Sequence, residues 1–194
     1  MIYQLIGLSL FAFGFVYQLE VAARLEQRFA GTIQQVLGRK PYLTLFEECW
    51  FFGRTPFALA ALILFLGANW KLGLIAISVF AILAGIEKTV KELVGRSRPF
   101  KTWPEIDMLQ PQEPNDPSFP SGDALRIWYL VLIFSIALGN NLVFGVLSIL
   151  LAVLVSLGRT VFGVHYLTDV LSGAGLGFLG AGTTIWLWQL FQLL

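Results

Sequence analysis

His165 and Asp169 are the pair of residues in this chain best suited to chemistry. His165 is the single histidine, and Asp169 follows it four residues later. Residues at this spacing lie on one face of a helix, so the carboxylate can hold one ring nitrogen and leave the other directed outward. A histidine oriented in this way can act as a nucleophile or as a base. The alternative is a packed or hydrogen-bonded histidine without a chemical role.

Lys91 and Arg98 could together form an anion site. They are seven residues apart, about two turns of helix, so both would point the same way if the helix continues through them. Arg159 lies six residues before His165, which does not place it on the same face of one helix, so we expect a bend near Gly163. The alternative is that basic residues at a membrane boundary simply extend toward lipid headgroups.

A helix start with the features of a phosphate cradle lies at residues 120–123. Ser121 is a natural N-cap, and the free N–H groups and dipole of the following turn favour a bound phosphate. Gly122 would let a ligand approach the backbone closely. Asp123 complements the helix dipole, and the alternative is that these residues only begin a helix.

The composition restricts the chain to a helical membrane protein. It is 57% hydrophobic and 13% charged, whereas a soluble domain has about 25% charged residues and a disordered chain has low hydrophobicity. The apolar runs are nearly continuous and do not alternate as barrel strands do. A net charge of +1 without a basic cluster argues against a nucleic-acid partner. A single cysteine, Cys49, and a single histidine argue against a metal centre built from these residues.

The apolar runs predict an all-α bundle of six transmembrane helices in one domain, residues 1–194. The predicted spans are residues 3–19, 55–70, 72–94, 123–139, 142–157 and 166–192. A turn at Gly139, Asn140 and Asn141 separates the fourth span from the fifth. Residues 20–54 mix charged and aromatic side chains, which predicts an interfacial helical segment between spans one and two.

Six crossings distribute the charges very unequally. Twelve of the 13 Lys and Arg residues and all 12 acidic residues fall on one face of the membrane, and only Lys71 falls on the other. Counted naively, the positive-inside rule would place the charged face in the cytoplasm.

Taken together, the three clusters resemble the signature of the type-2 phosphatidic acid phosphatase superfamily. That signature reads K-x6-R-P, then P-S-G-H, then S-R-x5-H-x3-D. The matching residues are Lys91, Arg98 and Pro99, then Pro120, Ser121 and Gly122, then Arg159, His165 and Asp169. Two positions depart from the pattern, because Gly158 replaces the family's serine and Asp123 replaces its histidine. The motifs cover roughly residues 88–172, and the six-span layout extends the resemblance over the chain.

The resemblance implies a membrane lipid phosphatase that needs no metal or other cofactor. His165 would take the phosphoryl group as a phosphohistidine, and Asp169 would fix its tautomer. The phosphate would be held by Lys91, Arg98, Arg159, Ser121 and the backbone N–H of Gly122. The substrate would be a lipid phosphate or diphosphate in the bilayer: phosphatidic acid, phosphatidylglycerophosphate or a polyprenyl diphosphate. Bacterial members of the family face the periplasm, and we follow the family here, because the three phosphate-binding cations are fixed by chemistry rather than by topology.

Asp123 leaves several interpretations open. The family's histidine at this position protonates the leaving oxygen and later activates water. Three explanations of Asp123 compete: a variant general acid, a substitution that slows the enzyme, or a sign of a substrate whose leaving group needs no acid. The last option favours a polyprenyl diphosphate, since a phosphomonoester leaves more easily than an alkoxide. Other functions remain: a serine hydrolase using Ser121 with His165, or a lipid-phosphate-binding protein that has lost catalysis.

Overall fold

A computed structural model describes residues 1–139 and 141–193, and all regular structure in these residues is helical. Asn140, which belongs to the predicted turn, and Leu194, the last residue of the predicted domain, lie outside the described residues. The helices are α1 Ile2–Phe13, α2 Glu20–Leu37, α3 Tyr42–Trp50, α4 Thr55–Ala68, α5 Trp70–Val94, α6 Pro99–Thr102, α7 Gly122–Ala137, α8 Leu142–Val161 and α9 Leu167–Leu190. A loop of residues 103–121, the Pro-rich loop, connects α6 to α7. The all-α prediction is confirmed.

Three helical segments are individually long and apolar enough to cross a bilayer: α5 together with α6, then α8, then α9. Two further segments qualify only as bent pairs, one joining Ile2–Gln18 to α2 at 98° and one joining Tyr42–Gly53 to α4 at 48°. Helix α7 has 16 residues, about 24 Å at 1.5 Å per residue, which is shorter than the roughly 30 Å hydrocarbon core. By length and composition the described residues therefore provide three to five candidate spans.

At two places the helices end at other residues than the predicted spans. The helix predicted to reach residue 19 ends at Phe13, and Gly14–Gln18 is a 3-10 turn. This turn lets Gly14 pack against the side chain of Ser172 in α9. It also places the ring of Tyr17 beside the guanidinium group of Arg96. The fifth predicted helix runs on from residue 157 to Val161, because Arg159 in its last turn is buried rather than exposed at the membrane surface.

Helix α9 lies at the centre of the bundle and contacts α1 through glycines. A Cβ atom on Gly175 would lie 2.5 Å from the backbone nitrogen of Phe11, and one on Gly7 would lie 2.7 Å from the carbonyl oxygen of Gly175. No Cβ atom fits at such distances from backbone atoms. The two helices are therefore in backbone contact at this point.

On its other side, α9 is joined to α5 and α7 by buried hydrogen bonds. The Tyr129 hydroxyl donates to the carbonyl of Ala76 at 2.7 Å and lies 2.9 Å from Thr184 Oγ1. Trp188 Nε1 donates to the carbonyl of Leu72 at 3.0 Å. Because these polar groups are satisfied within an apolar core, they fix the relative register of three helices at little cost in desolvation.

Helix α2, in the predicted interfacial segment, is amphipathic. It exposes Val21, Leu25 and Arg24 on one side and buries Gln34 on the other. The Gln34 side chain donates to Asp107 O at 2.7 Å and accepts from Asp107 N at 2.9 Å. Helix α2 thereby holds the Pro-rich loop in place by hydrogen bonds, at the end of the bundle where the charged residues lie.

The close contact between α1 and α9 predicts opposite effects for one substitution at two glycines. Replacing Gly175 by Ala should lower the free energy of unfolding by about 1–3 kcal/mol, because the added methyl group meets backbone. The same change at Gly85, where a Cβ would have no neighbour within 4 Å, should be neutral or stabilise by up to about 1 kcal/mol through helix propensity. Thermal unfolding of both variants in one detergent measures the difference; a Gly175→Ala protein as stable as Gly85→Ala would contradict the contact.

Candidate active site

A cavity of about 350 Å³ opens at the end of the bundle where several helix termini meet. Six of the eight residues predicted from the sequence line it: Lys91, Arg98, Gly122, Asp123, Arg159 and His165. The other two, Ser121 and Asp169, lie directly behind this lining and are fully buried. The structure therefore brings the three sequence clusters together around one cavity.

A sharp turn after α8 places His165 beside Arg159. Helix α8 ends at Val161, and Gly163 adopts a positive φ of 70°, a conformation that is strained for residues with a Cβ atom. The chain then folds back so that the backbone N–H of His165 donates to the carbonyl of Arg159 at 3.2 Å. The bend expected near Gly163 is confirmed.

The two ring nitrogens of His165 face different surroundings. Nδ1 lies 3.5 Å from Asp169 Oδ2, whereas Nε2 lies 3.2 Å from Nη1 of Arg98. An arginine nitrogen can only donate, so Nε2 must be the acceptor and the proton must be on Nδ1. In this tautomer the Nε2 lone pair lies among the cations that line the cavity.

The surroundings of His165 also favour its neutral form. Burial lowers the pKa of its imidazole well below 6.5, and the positive charges of Arg98, Arg159 and Lys91 lower it further, in that order of importance. Both effects penalise the imidazolium ion. His165 is therefore neutral at pH 7, as a nucleophile or base must be.

Asp169 is held by donors from several parts of the chain. It accepts hydrogen bonds from the hydroxyl group of Ser118 at 2.5 Å, from the backbone N–H of Tyr166 at 3.0 Å and from Arg96 at 2.5 Å. The Tyr166 contact is part of a capping box that begins α9. The charge of Asp169 is thus compensated by Arg96, and its Oδ2 lies 3.5 Å from Nδ1 of His165.

Arg96 links Asp169 to α2. Its other terminal nitrogen lies 2.7 Å from the buried carboxylate of Glu26, which also accepts from the backbone N–H of Thr168 at 3.0 Å. The guanidinium carbon of Arg96 lies 4.0 Å and 3.7 Å from the ring centroids of Tyr17 and Tyr166. Arg96 is therefore enclosed by two carboxylates and two aromatic rings.

Lys91 and Arg98 reach the cavity by a different route from the one expected. Helix α5 ends at Val94, and the following Gly95 takes a left-handed conformation, so the argument from a shared helix face is wrong. Arg98 instead lies in the turn before α6, where it donates to the carbonyls of Val164 at 2.7 Å and Asp116 at 2.9 Å.

Asp116 of the Pro-rich loop pairs with both cations. Its carboxylate lies 2.7 Å from Nη2 of Arg98 and also accepts from Lys91 Nζ. Burial raises the pKa of Asp116, but the hydrogen bond and charge of Lys91, together with Arg98, outweigh burial and leave this pKa below its ordinary value. Asp116 is thus an anion at neutral pH.

Asp123 is surrounded by donors. Its Oδ1 lies 2.5 Å from Arg126, and its Oδ2 accepts from Trp50 Nε1 at 2.9 Å and lies 3.1 Å from Arg159 Nε. Both oxygens therefore act as acceptors, as expected of an ionised carboxylate. Within the described part of the chain, Nη1 of the buried Arg159 has no hydrogen-bond partner, so it is a donor available to a ligand.

Ser121 and Gly122 begin α7 as the sequence predicts. Ser121 is the N-cap, and its side chain accepts from the backbone N–H of Ala124 at 3.5 Å. Its backbone N–H donates to the carbonyl of Asp169 at 3.0 Å. Because the hydroxyl is engaged with its own helix and fully buried, it is poorly placed to act as a nucleophile.

Several residues of the site escaped the sequence reasoning: Glu26, Trp50, Arg96, Asp116, Ser118 and Arg126. A signal existed for Arg126, which follows Gly122 by four residues and so shares its helix face. Arg96 lies between the two cations of the first motif, yet its partners lie far away in the sequence. Nothing local marks Glu26, whose contact with Thr168 spans 142 residues.

Comparisons with known proteins show what this chain is similar to. The family model described as PAP2 superfamily matches residues 68–192. The chain is 32% identical over 117 residues to an undecaprenyl-diphosphatase of Sulfolobus acidocaldarius, covering 60% of this chain and 55% of that protein. It is 30% identical over 160 residues to phosphatidylglycerophosphatase B of Bacillus subtilis, covering 74% of each. The chain thus spans about half of the first relative and three quarters of the second.

The fold is also that of a solved membrane phosphatase. The crystal structure of a transmembrane PAP2-type phosphatidylglycerolphosphate phosphatase from Bacillus subtilis superimposes with a TM-score of 0.83 and 20% identity, covering 97% of each chain. Together with the apolar helices, this fold identifies the chain as an integral membrane protein.

The lowered pKa of His165 predicts that its imidazole titrates at a pH well below that of an unperturbed histidine, whose pKa is about 6.5. Because His165 is the single histidine, the nitrogen-15 NMR spectrum of histidine-labelled protein with a histidine-free affinity tag reports this residue alone. The folded protein should titrate at a pH well below that of the denatured protein, which should titrate near 6.5. A folded midpoint at or above 6.5 would contradict the neutral, buried imidazole.

The enclosed position of Arg96 predicts a large loss of stability when its charge is removed. Arg96→Gln leaves two buried carboxylates uncompensated, which should cost roughly 3–5 kcal/mol and lower the melting temperature by about 10 °C. The matched control is Arg24→Gln, whose partner Glu20 is exposed, so its effect should stay within about 0.5 kcal/mol. Equal melting temperatures for the two variants would refute the role given to Arg96.

Proposed function

The chain belongs to the PAP2 superfamily, and we propose that it is a lipid phosphatase that works through His165 as nucleophile. One observation carries this proposal. The Nε2 lone pair of His165 lies among cations, while Nδ1 faces the buried carboxylate of Asp169. A phosphoryl group bound by those cations would lie next to Nε2.

In the first step, Nε2 of His165 attacks phosphorus and the bond to the leaving oxygen breaks, so that the oxygen keeps the electron pair. The result is a phosphohistidine. Lys91, Arg98 and Arg159, with the N–H groups at the start of α7, stabilise the charge on the phosphoryl oxygens. In the second step, water attacks phosphorus, the P–N bond breaks with its electron pair returning to Nε2, and inorganic phosphate leaves as H2PO4⁻, which carries both protons of the water. Asp169 holds the imidazole in one tautomer throughout.

We assign Asp123 the role of an ionised carboxylate that positions Arg126 and Arg159 rather than that of a general acid. The support is its contacts, in which each oxygen already faces a donor. Without an acid, the leaving group must be stable as an anion. A lipid diphosphate meets this requirement, because it releases a phosphomonoester, whereas phosphatidic acid and other monoesters must release an alkoxide. The proposed substrate is therefore a polyprenyl diphosphate.

We further propose that residues 1–194 form one domain with six crossings made by α1, α4, α5, α7, α8 and α9. In support, the carboxyl ends of α5 and α8 and the amino ends of α4 and α7 all contribute residues to the cavity, as expected if successive helices alternate in direction. The proposed location is the inner membrane, with the cavity on the periplasmic side, as the family's bacterial members would place it.

The assignment of Asp123 predicts a substrate-dependent response to Asp123→His. A restored general acid should raise the rate with phosphatidic acid, relative to the rate with undecaprenyl diphosphate, by about 10²- to 10⁴-fold, because an alkoxide needs a proton to leave. The rate with undecaprenyl diphosphate should show no gain, since its leaving group needs no proton and the loss of the carboxylate affects both substrates alike. Phosphate release from both substrates in mixed micelles measures the two ratios.

Asp123→Asn is the matched control, because it removes the negative charge without adding an acid. It should reproduce none of the gain with phosphatidic acid. A large gain by Asp123→His with both substrates would sink the diphosphate assignment. His165→Gln should be inactive with either substrate. If a fluorophosphonate labels Ser121 of the wild-type protein and vanadate does not inhibit it, the result would favour the serine hydrolase instead.

A further inference from the structure

One carboxylate of the cavity lies between the two cations that the proposed function gives to phosphate. Asp116 contacts Arg98 Nη2 through one oxygen at 2.7 Å and Lys91 Nζ through the other. A guanidinium and an ammonium group presented side by side are also what two oxygens of a phosphoryl group would contact. Here a side chain of the protein itself occupies these donors.

Both cations are held in place independently of the Asp116 side chain. Arg98 donates to the carbonyl of Val164 at 2.7 Å and to the backbone carbonyl of Asp116 at 2.9 Å. Lys91 also pairs with Glu87, one helical turn earlier, at 3.0 Å. The Asp116 carboxylate could therefore leave without releasing either cation from the cavity.

Ion pairs join four cations and three carboxylates of the cavity in one cluster. The cations are Lys91, Arg98, Arg126 and Arg159, and the carboxylates are Glu87, Asp116 and Asp123. The cluster has an excess of one positive charge while Asp116 is in place, and an excess of two once it has left. The second value matches the charge of a phosphoryl dianion.

Exposure distinguishes Asp116 from the other two carboxylates. Its side chain is 51% exposed, compared with 12% for Glu87 and 11% for Asp123. Asp116 also lies on the Pro-rich loop, whereas the other two carboxylates are on helices. A half-exposed loop carboxylate can rotate into water at modest cost, whereas the departure of a buried one would leave buried cations without a partner.

We propose that Asp116 is an internal competitor for the phosphate site: it occupies Lys91 and Arg98 in the resting protein and is displaced by the phosphoryl group of an incoming ligand. Its return would help to expel inorganic phosphate after hydrolysis. The inference rests on the proposed function for the identity of the ligand. It adds a residue that sets the affinity of the site for phosphate.

Asp116→Asn tests this inference by removing the charge while keeping the size of the side chain. A competitor lowers the apparent affinity of a ligand by the fraction of time that the site is open. With two partly exposed ion pairs to break, the variant should bind inorganic phosphate about five- to tenfold more tightly than the wild type. The dissociation constants come from ligand-dependent thermal stabilisation of the full chain in detergent. Asp116→Ser is a second variant with the same expectation, should the first not fold.

The matched control is Glu113→Gln. Glu113 lies on the same loop and is equally exposed at 51%, but it pairs with Lys101 rather than with the cluster. Its loss removes the same charge from the loop and should change the phosphate affinity less than twofold. Tightening by both variants alike would overturn the inference, because it would reflect only the overall charge of the loop.

A second probe, dihexanoyl phosphatidic acid, separates the phosphoryl group from the rest of a lipid headgroup. Equal tightening for this lipid and for inorganic phosphate supports competition at the phosphoryl position. Four outcomes would overturn the inference. They are tighter binding of the lipid alone by Asp116→Asn, binding of both ligands as in the wild type, weaker binding of both ligands, and no binding of phosphate by either protein. If phosphate binds and tightens as expected but no lipid phosphate is hydrolysed, the proposed function fails and the role of Asp116 stands.

Discussion

The buried negative charge of Asp169 is the constraint on which the rest of the site depends. A carboxylate with no exposure is stable only if the chain surrounds it with donors and a compensating cation. These come from segments far apart in the sequence: Arg96 after α5, Ser118 at the end of the Pro-rich loop and Tyr166 at the start of α9. The hydrogen bonds to this one carboxylate thus bring three segments together around His165. Arg96 adds a fourth segment, because it also pairs with Glu26 of α2.

The cations of the cavity are fixed before any ligand arrives. Arg98 is held by backbone carbonyls, and Arg126 is held by Glu87 and by the carbonyl of Gly53. Donors that are fixed in advance need no reorganisation when charge develops on a phosphoryl group, which is the main source of catalysis in such transfers. Burial first, and then the charges of Arg98, Arg159 and Lys91, lower the pKa of His165 and keep its imidazole neutral. One electrostatic arrangement therefore serves both the binding of an anion and the nucleophilicity of the imidazole.

Local spacing predicted the residues of this site better than it predicted the path of the chain between them. His165 and Asp169 do meet, and Ser121 does cap α7, because those contacts span only a few residues. Lys91 and Arg98 converge for a reason that spacing does not contain, since Gly95 ends the helix between them. Asp116 and Glu26 escaped notice because their partners are brought near only by the fold. The break in α1 escaped for the same reason, since it depends on the packing of Gly14 against Ser172 in α9.

The departure at position 123 is embedded in its surroundings rather than isolated. Asp123 shares its charge between Arg126 and Arg159, and Trp50 donates to it from α3. A neutral histidine at this position would leave Arg159 without a carboxylate partner in the cluster and would leave Arg126 with Glu87 alone, at 3.3 Å. Arginine cannot shed its charge to relieve such an imbalance. The carboxylate, Arg126 of α7 and the indole donor therefore belong to one arrangement, which argues against a simple loss of the histidine and for a site whose charges are balanced around an ionised Asp123.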